Sequence, residues 1–148
     1  MIVRKHPWRR LKTSSSERKV PLVGMALWAA KRVTRNAGAG PFAFGRYNGS
    51  DQTNSNSASA ALNKWLKPLV SGTGTVHSFR HSMRDRLRAL ECPPEIMDQI
   101  GGWRTGGVGP GYGNGYPLGI LSKWMKRCVV EEFDGSSYLE AQTESEIQ

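Results

Sequence analysis

Apolar positions recur at two different spacings along this 148-residue chain, and the spacings divide it into elements. Residues 1–5 (MIVRK) and 18–22 (RKVPL) read as two short strands. A polar, basic connection ending LKTSSSE joins them, which predicts a β-hairpin with Ser14, Ser15 and Ser16 near the turn. From Pro21 the spacing becomes helical. Leu22, Met25, Trp28, Ala29 and Val33 recur at three- and four-residue steps, Pro21 suits a first turn, and Asn36 and Gly38 end the run. Residues 38–57 are rich in Gly, Asn and Ser and predict a long exposed loop. Ser57 is placed to cap a second helix whose inward face would hold Ala61, Leu62, Trp65, Leu66 and Leu69. A third helix is expected from Ser78, with Phe79, Met83, Leu87 and Leu90 as its apolar stripe. Pro93 and Pro94 then open a short helix that turns Ile96, Met97 and Ile100 inward.

After a Gly-rich run, the last predicted helix spans 118–133 and carries Leu121, Trp124, Met125, Cys128 and Val129 on one face. The expected fold class is α+β, mostly helical, with a small antiparallel β-hairpin packed on a helical bundle. Residues 1–134 would form one domain. Residues 135–148, which contain acids and no Lys or Arg, would form a disordered or partner-ordered tail.

Charge changes this picture more than composition does. The formal net charge is +9, but residues 1–88 hold 17 Lys/Arg against 3 Asp/Glu, and residues 89–148 hold 4 against 9. The basic surface therefore belongs to the first part, and it favours a polyanionic partner. Cys92 and Cys128 have no second Cys or His at metal-ligand spacing, so both are expected to be reduced and partly buried. The basic start lacks an apolar signal region, and the longest apolar stretch, PLVGMALWAA, is about half the length a bilayer requires. A soluble, cytoplasmic protein with no membrane partner is the expectation.

The candidate chemistry lies between residues 77 and 112. His77 precedes Arg80 by three residues, Trp103 follows after a helix-sized gap, and Tyr112 comes nine residues later. A guanidinium fork fits the oxygens of a phosphodiester. His77, one helical turn earlier, can donate to the same phosphate or assist a proton transfer. Trp103 offers an indole N–H, and a Tyr can act as nucleophile. Taken singly, each has an ordinary alternative: a solvated arginine, a helix-start histidine, a core tryptophan. His77 and His81 stand at i, i+4 without an acidic third ligand, so no metal site is expected there.

HSFRH, then GGW, then a Tyr nine residues on, resembles the tyrosine recombinase (phage integrase) family. LKTSSSERKVPL is similar to that family's hairpin, which presents a catalytic Lys ahead of an Arg-x-Val-Pro-Leu strand. GYGNGYPLGILSKWM is similar to its nucleophile segment, and the likeness covers roughly residues 2–130. It implies site-specific cutting and rejoining of double-stranded DNA by a homotetramer, through a 3′-phosphotyrosyl intermediate, without metal, ATP or other cofactor. It assigns catalytic roles to Tyr112, Arg80, His77, Trp103 and Lys12, with Lys12 protonating the departing 5′ oxygen. Tyr116 is the nearest competitor of Tyr112 and would be a packing residue. Arg9, Arg10, Arg18, Lys19 and Arg84 would contact DNA phosphates. The family's first catalytic Arg lies well upstream of the hairpin lysine, whereas here only eleven residues precede Lys12. The resemblance therefore also carries an alternative expectation, a DNA-binding remnant that does not turn over.

Overall fold

The computed structural model describes residues 1–13, 16–36, 40–49, 52–70, 72–103 and 115–129. Its elements in chain order are β1 (Ile2–Val3), β2 (Arg18–Lys19), α1 (Gly24–Asn36), α2 (Ser55–Leu66), α3 (Ser78–Ala89), α4 (Pro94–Gly101) and α5 (Leu118–Arg127). The domain is α+β and mostly helical. Its described sheet is one antiparallel pair, with Ile2 opposite Lys19 and Val3 opposite Arg18.

The strands are shorter than the apolar runs predict, and the reason is local. The chain turns on itself at Pro7–Trp8, where His6 and Arg9 exchange backbone hydrogen bonds of 3.0 and 3.1 Å. Trp8 secures that turn by stacking on His6 and meeting Phe42 edge-on, so pairing with β2 stops at Val3.

The core joins α3, α4 and α5. Leu87, Cys92, Ile96, Met97, Ile100, Leu121, Met125 and Cys128 form one buried cluster, in which Leu87 and Leu121 are fully enclosed. Pro93 and Pro94 open α4 as expected, because a proline at the first turn forfeits no helical hydrogen bond. Leu121, Met125 and Cys128 sit at i, i+4, i+7, so one face of α5 meets α3 and α4. That helix ends at Arg127; residues 130–133, which the spacing also assigned to it, and the acidic tail lie outside the described residues.

Four expectations are corrected. α1 starts at Gly24 rather than Pro21. α2 is capped by Asn54, whose side chain accepts from Ser57 N–H at 3.1 Å, so Ser57 is the third helical residue instead of the cap. The apolar stripe of α2 is also not buried. Leu62, Trp65 and Leu69 are 49%, 65% and 63% exposed and Ala61 is exposed too, leaving Leu66 alone in the interior. Phe79 on α3 is exposed as well. Spacing defines a stripe but cannot supply a partner for it, and among the described residues no element covers this one. The described residues of the 38–57 stretch include a 3₁₀ turn at Gly45–Tyr47 and a bridge between Asn48 and Thr53. No helix among the described residues is long and apolar enough to cross a membrane.

Candidate functional site

The turn leading into α3, whose N-cap His77 makes no side-chain capping bond, is closed by a reciprocal pair. Ser78 N–H donates to Thr75 O at 2.9 Å, and Thr75 N–H donates to Ser78 Oγ at 3.1 Å. Val76 N–H reaches Asn63 Oδ1 at 2.8 Å and ties this start to α2. His77 therefore stands exposed at the mouth of α3, its ring edge-on to His81 at 5.1 Å between centroids. Arg80 and Arg84 follow on successive turns of the helix.

The two glycines of GGW explain how Trp103 meets them. Gly102 adopts φ +62°, and this left-handed step lets Trp103 N–H fold back onto Asp98 O at 3.1 Å, a Schellman-type end to α4. The indole then lies directly over Gly101, where a Cβ would collide with the ring. Both positions exclude a larger residue, one by backbone conformation and the other by contact.

Arg80 settles on this platform. Its Cζ is 4.7 Å from the Trp103 ring centroid, and its Nη1 donates to Gly101 O at 2.7 Å. Arg84 places Cζ 5.4 Å from the same ring, and its Nε is buried without a hydrogen-bond partner among the described residues. A third guanidinium arrives from the hairpin. Arg18 Nε donates to Ile100 O at 3.1 Å and its Nη1 to Ser16 O at 2.8 Å. Two successive carbonyls at the C-terminal end of α4 thus hold arginines from two different elements. The partial negative charge of a helix C-terminus favours that arrangement.

None of these three arginines pairs with a carboxylate among the described residues, where the ion pair found is the exposed Arg88–Asp85. Burial, and then the charge of Arg80, pull the Arg18 guanidinium below its ordinary pKa, while leaving it protonated at any physiological pH. A like-charged cluster with spare donors and no ion-paired carboxylate among the described residues is chemically suited to an anion.

The sequence-predicted residues divide clearly. Arg80 and Trp103 are in contact, and Arg84 and Arg18 join them. His77 is one turn from Arg80 along α3, but its ring packs on His81. Lys12, Arg9, Arg10 and Lys19 are exposed on the hairpin, and no described hydrogen bond or ion pair links their side chains to the arginine cluster. An open depression is lined by Arg10, Leu11 and Lys12. Tyr112 lies outside the described residues. Among the described residues no group of three or more His, Cys, Asp or Glu is placed to hold a metal.

Sequence reasoning missed two members. Arg18 was grouped with the hairpin's general phosphate contacts, and Gln99 was not singled out at all. Gln99 Oε1 accepts Tyr116 N–H at 2.8 Å and its Nε2 donates to Tyr116 O at 3.0 Å, so α4 grips the chain just before α5. Comparison of the chain with protein-family models, curated proteins and solved structures gave no match.

Proposed function

We propose that the chain carries out, or is the DNA-binding part of a protein that carries out, strand cutting and rejoining of duplex DNA by tyrosine recombinase chemistry. The observation that carries this reading is the guanidinium of Arg80, held between Gly101 O and the Trp103 ring with Arg84 over the same ring and, among the described residues, no ion pair to a carboxylate. Arg80 commits one described donor to the protein and keeps the rest of its fork for phosphoryl oxygens. Support also comes from the order of the motifs: a hairpin lysine, then His-x-x-Arg, then Gly-Gly-Trp, then Tyr.

In this mechanism Tyr112 attacks a phosphodiester, gives up its phenolic proton to solvent and forms a 3′-phosphotyrosyl bond, and the 5′ oxygen leaves with a proton from Lys12. Arg80 offsets the charge that builds on the non-bridging oxygens, and His77 and the Trp103 indole N–H donate to the same group. The released 5′-hydroxyl of a partner strand reverses the step, so the bond energy is conserved and neither metal nor ATP is consumed. The resemblance to the family implies a homotetramer acting on two duplexes. The exposed cations Arg9, Arg10 and Lys19 bind DNA backbone, with affinity that falls as salt rises.

A nicked suicide duplex tests the reading, because the departing fragment diffuses away and traps the covalent complex. The expected result is a protein–DNA adduct that survives denaturing electrophoresis and is absent from Tyr112→Phe. Salt-dependent binding with no adduct, both from this chain and from one extended upstream, would leave DNA binding as the whole function. Removing Arg80 is expected to lower the rate of adduct formation by about 10²–10³, the scale of losing a preorganised donor to a transition-state oxyanion.

A further inference from the structure

We propose that Arg18 is a positioning residue for Arg80 rather than one of the cations that meet DNA; the inference rests on the strand-transfer reading and deepens it. Arg18 differs from its hairpin neighbours in what its donors do. Lys19, Arg9 and Arg10 are exposed, whereas Arg18 is half-buried, with Nε on Ile100 O and Nη1 on Ser16 O. Its guanidinium also lies against Gly102, where a Cβ would fall 2.6 Å from Nη1, so the helix end is shaped to receive it.

The consequence for Arg80 follows from two facts. Arg18 occupies the carbonyl next to the one Arg80 uses, which leaves Gly101 O as the anchor for Arg80. Two like charges at one helix end also repel, which favours the position Arg80 takes on the next carbonyl, with its guanidinium over the Trp103 ring. Because Ser16 and Arg18 belong to the hairpin and Ile100 to α4, the same side chain fastens the strand that follows Lys12 to the helix that presents Trp103. A lysine cannot reproduce this. Its single ammonium has no planar fork to span Ser16 O and Ile100 O together.

The test compares Arg18→Lys and Arg18→Ala with Arg9→Ala in the full chain. Two quantities are read: the slope of log binding constant against log salt for a duplex, and the single-turnover rate of adduct formation at saturating duplex. A residue on a DNA phosphate contributes about one unit of slope, and its lysine variant retains it. For Arg9→Ala the slope is expected to fall by about one. For both Arg18 variants it is expected to stay at the wild-type value while the adduct rate drops at least tenfold. A loss of about one slope unit in Arg18→Ala, or a wild-type rate in Arg18→Lys, overturns the proposal.

A third reading does not depend on activity. The indole N–H resonance of Trp103, assigned through Trp103→Phe, is expected to shift in Arg18→Lys and to stay in place in Arg9→Ala. An unmoved resonance in Arg18→Lys overturns the positioning role even if wild-type protein makes an adduct. A shifted resonance with no adduct from wild-type protein supports the positioning and overturns the strand-transfer reading alone.

Discussion

Gln99 holds Tyr116 by both of its backbone groups, accepting from the N–H at 2.8 Å and donating to the carbonyl at 3.0 Å. One side-chain amide thus does what a neighbouring strand does for a residue in a sheet. The grip falls four residues after Tyr112 in sequence. Gly115, between them, has φ +71°, and a Cβ there would approach Gln99 Oε1 to 3.0 Å. Gln99→Leu removes both hydrogen bonds, each worth about 0.5–1.5 kcal/mol. Amide exchange at Tyr116 is expected to accelerate about tenfold or more in that variant, with the α5 core amides unchanged. Gln99→Glu keeps the acceptor and loses the donor when ionised, so its exchange rate is expected to fall between the two.

The Trp103 ring does two jobs in this structure: it covers Gly101 and it carries two guanidinium groups. Trp103→Ala removes a half-buried indole and both cation–π contacts and is expected to cost about 2–4 kcal/mol in urea denaturation. Trp103→Phe keeps an aromatic face and loses the indole N–H. It is expected to recover most of that stability while slowing adduct formation, which separates the platform from the donor.

How much of this was legible in the sequence depends on whether the relevant contact is local. α3, α4 and α5 were readable because Leu87, Ile96, Ile100, Leu121 and Met125 repeat at helical spacing between proline and glycine punctuation, and these residues form the core. The hairpin was readable in kind but not in length, since the His6–Arg9 turn interrupts it and its Trp8 meets Phe42, a residue 34 positions away. Gly101 and Gly102 were visible as a motif, yet the reason for them lies in the fold, where one meets the Trp103 ring and the other takes φ +62°. Arg18 escaped notice because a hydrogen bond to the carbonyl of Ile100, 82 residues on, leaves no trace in residue type. Gln99 escaped for the same reason, its partner being backbone.

The clearest disagreement between spacing and structure, on α2, makes a direct stability prediction. If Trp65 and Leu62 faced a core, replacing either with Gln would cost several kcal/mol. Both are exposed, so Trp65→Gln and Leu62→Gln are each expected to change unfolding free energy by no more than about 0.5 kcal/mol. Leu87→Ala, which empties a fully enclosed position, is expected to cost about 2–5 kcal/mol in the same urea titration. Equal losses at the three sites would mean that the α2 face is covered in solution.

Cys92 and Cys128 lie in the same buried cluster, and both thiols are pushed above their ordinary pKa. Burial is the main cause for each. Cys128 raises Cys92 further, while nearby Arg127 works in the opposite direction on both, joined at Cys128 by Arg86. A folded-state pKa above the unfolded one means that the unfolded chain releases its thiol protons first. The stabilisation is therefore fully present below the ordinary thiol value of about 8.5 and is lost as pH rises through the higher folded values. The urea midpoint is expected to hold at neutral pH and to fall as pH rises above about 8.5. That fall should shrink in Cys92→Ala/Cys128→Ala once the cavity cost of the substitutions is referenced to pH 7. Ellman's reagent offers an independent check at neutral pH, where the native protein is expected to react slowly and both thiols rapidly in urea. Fast reaction of either thiol in the native state would contradict the closed packing of α3, α4 and α5 around them.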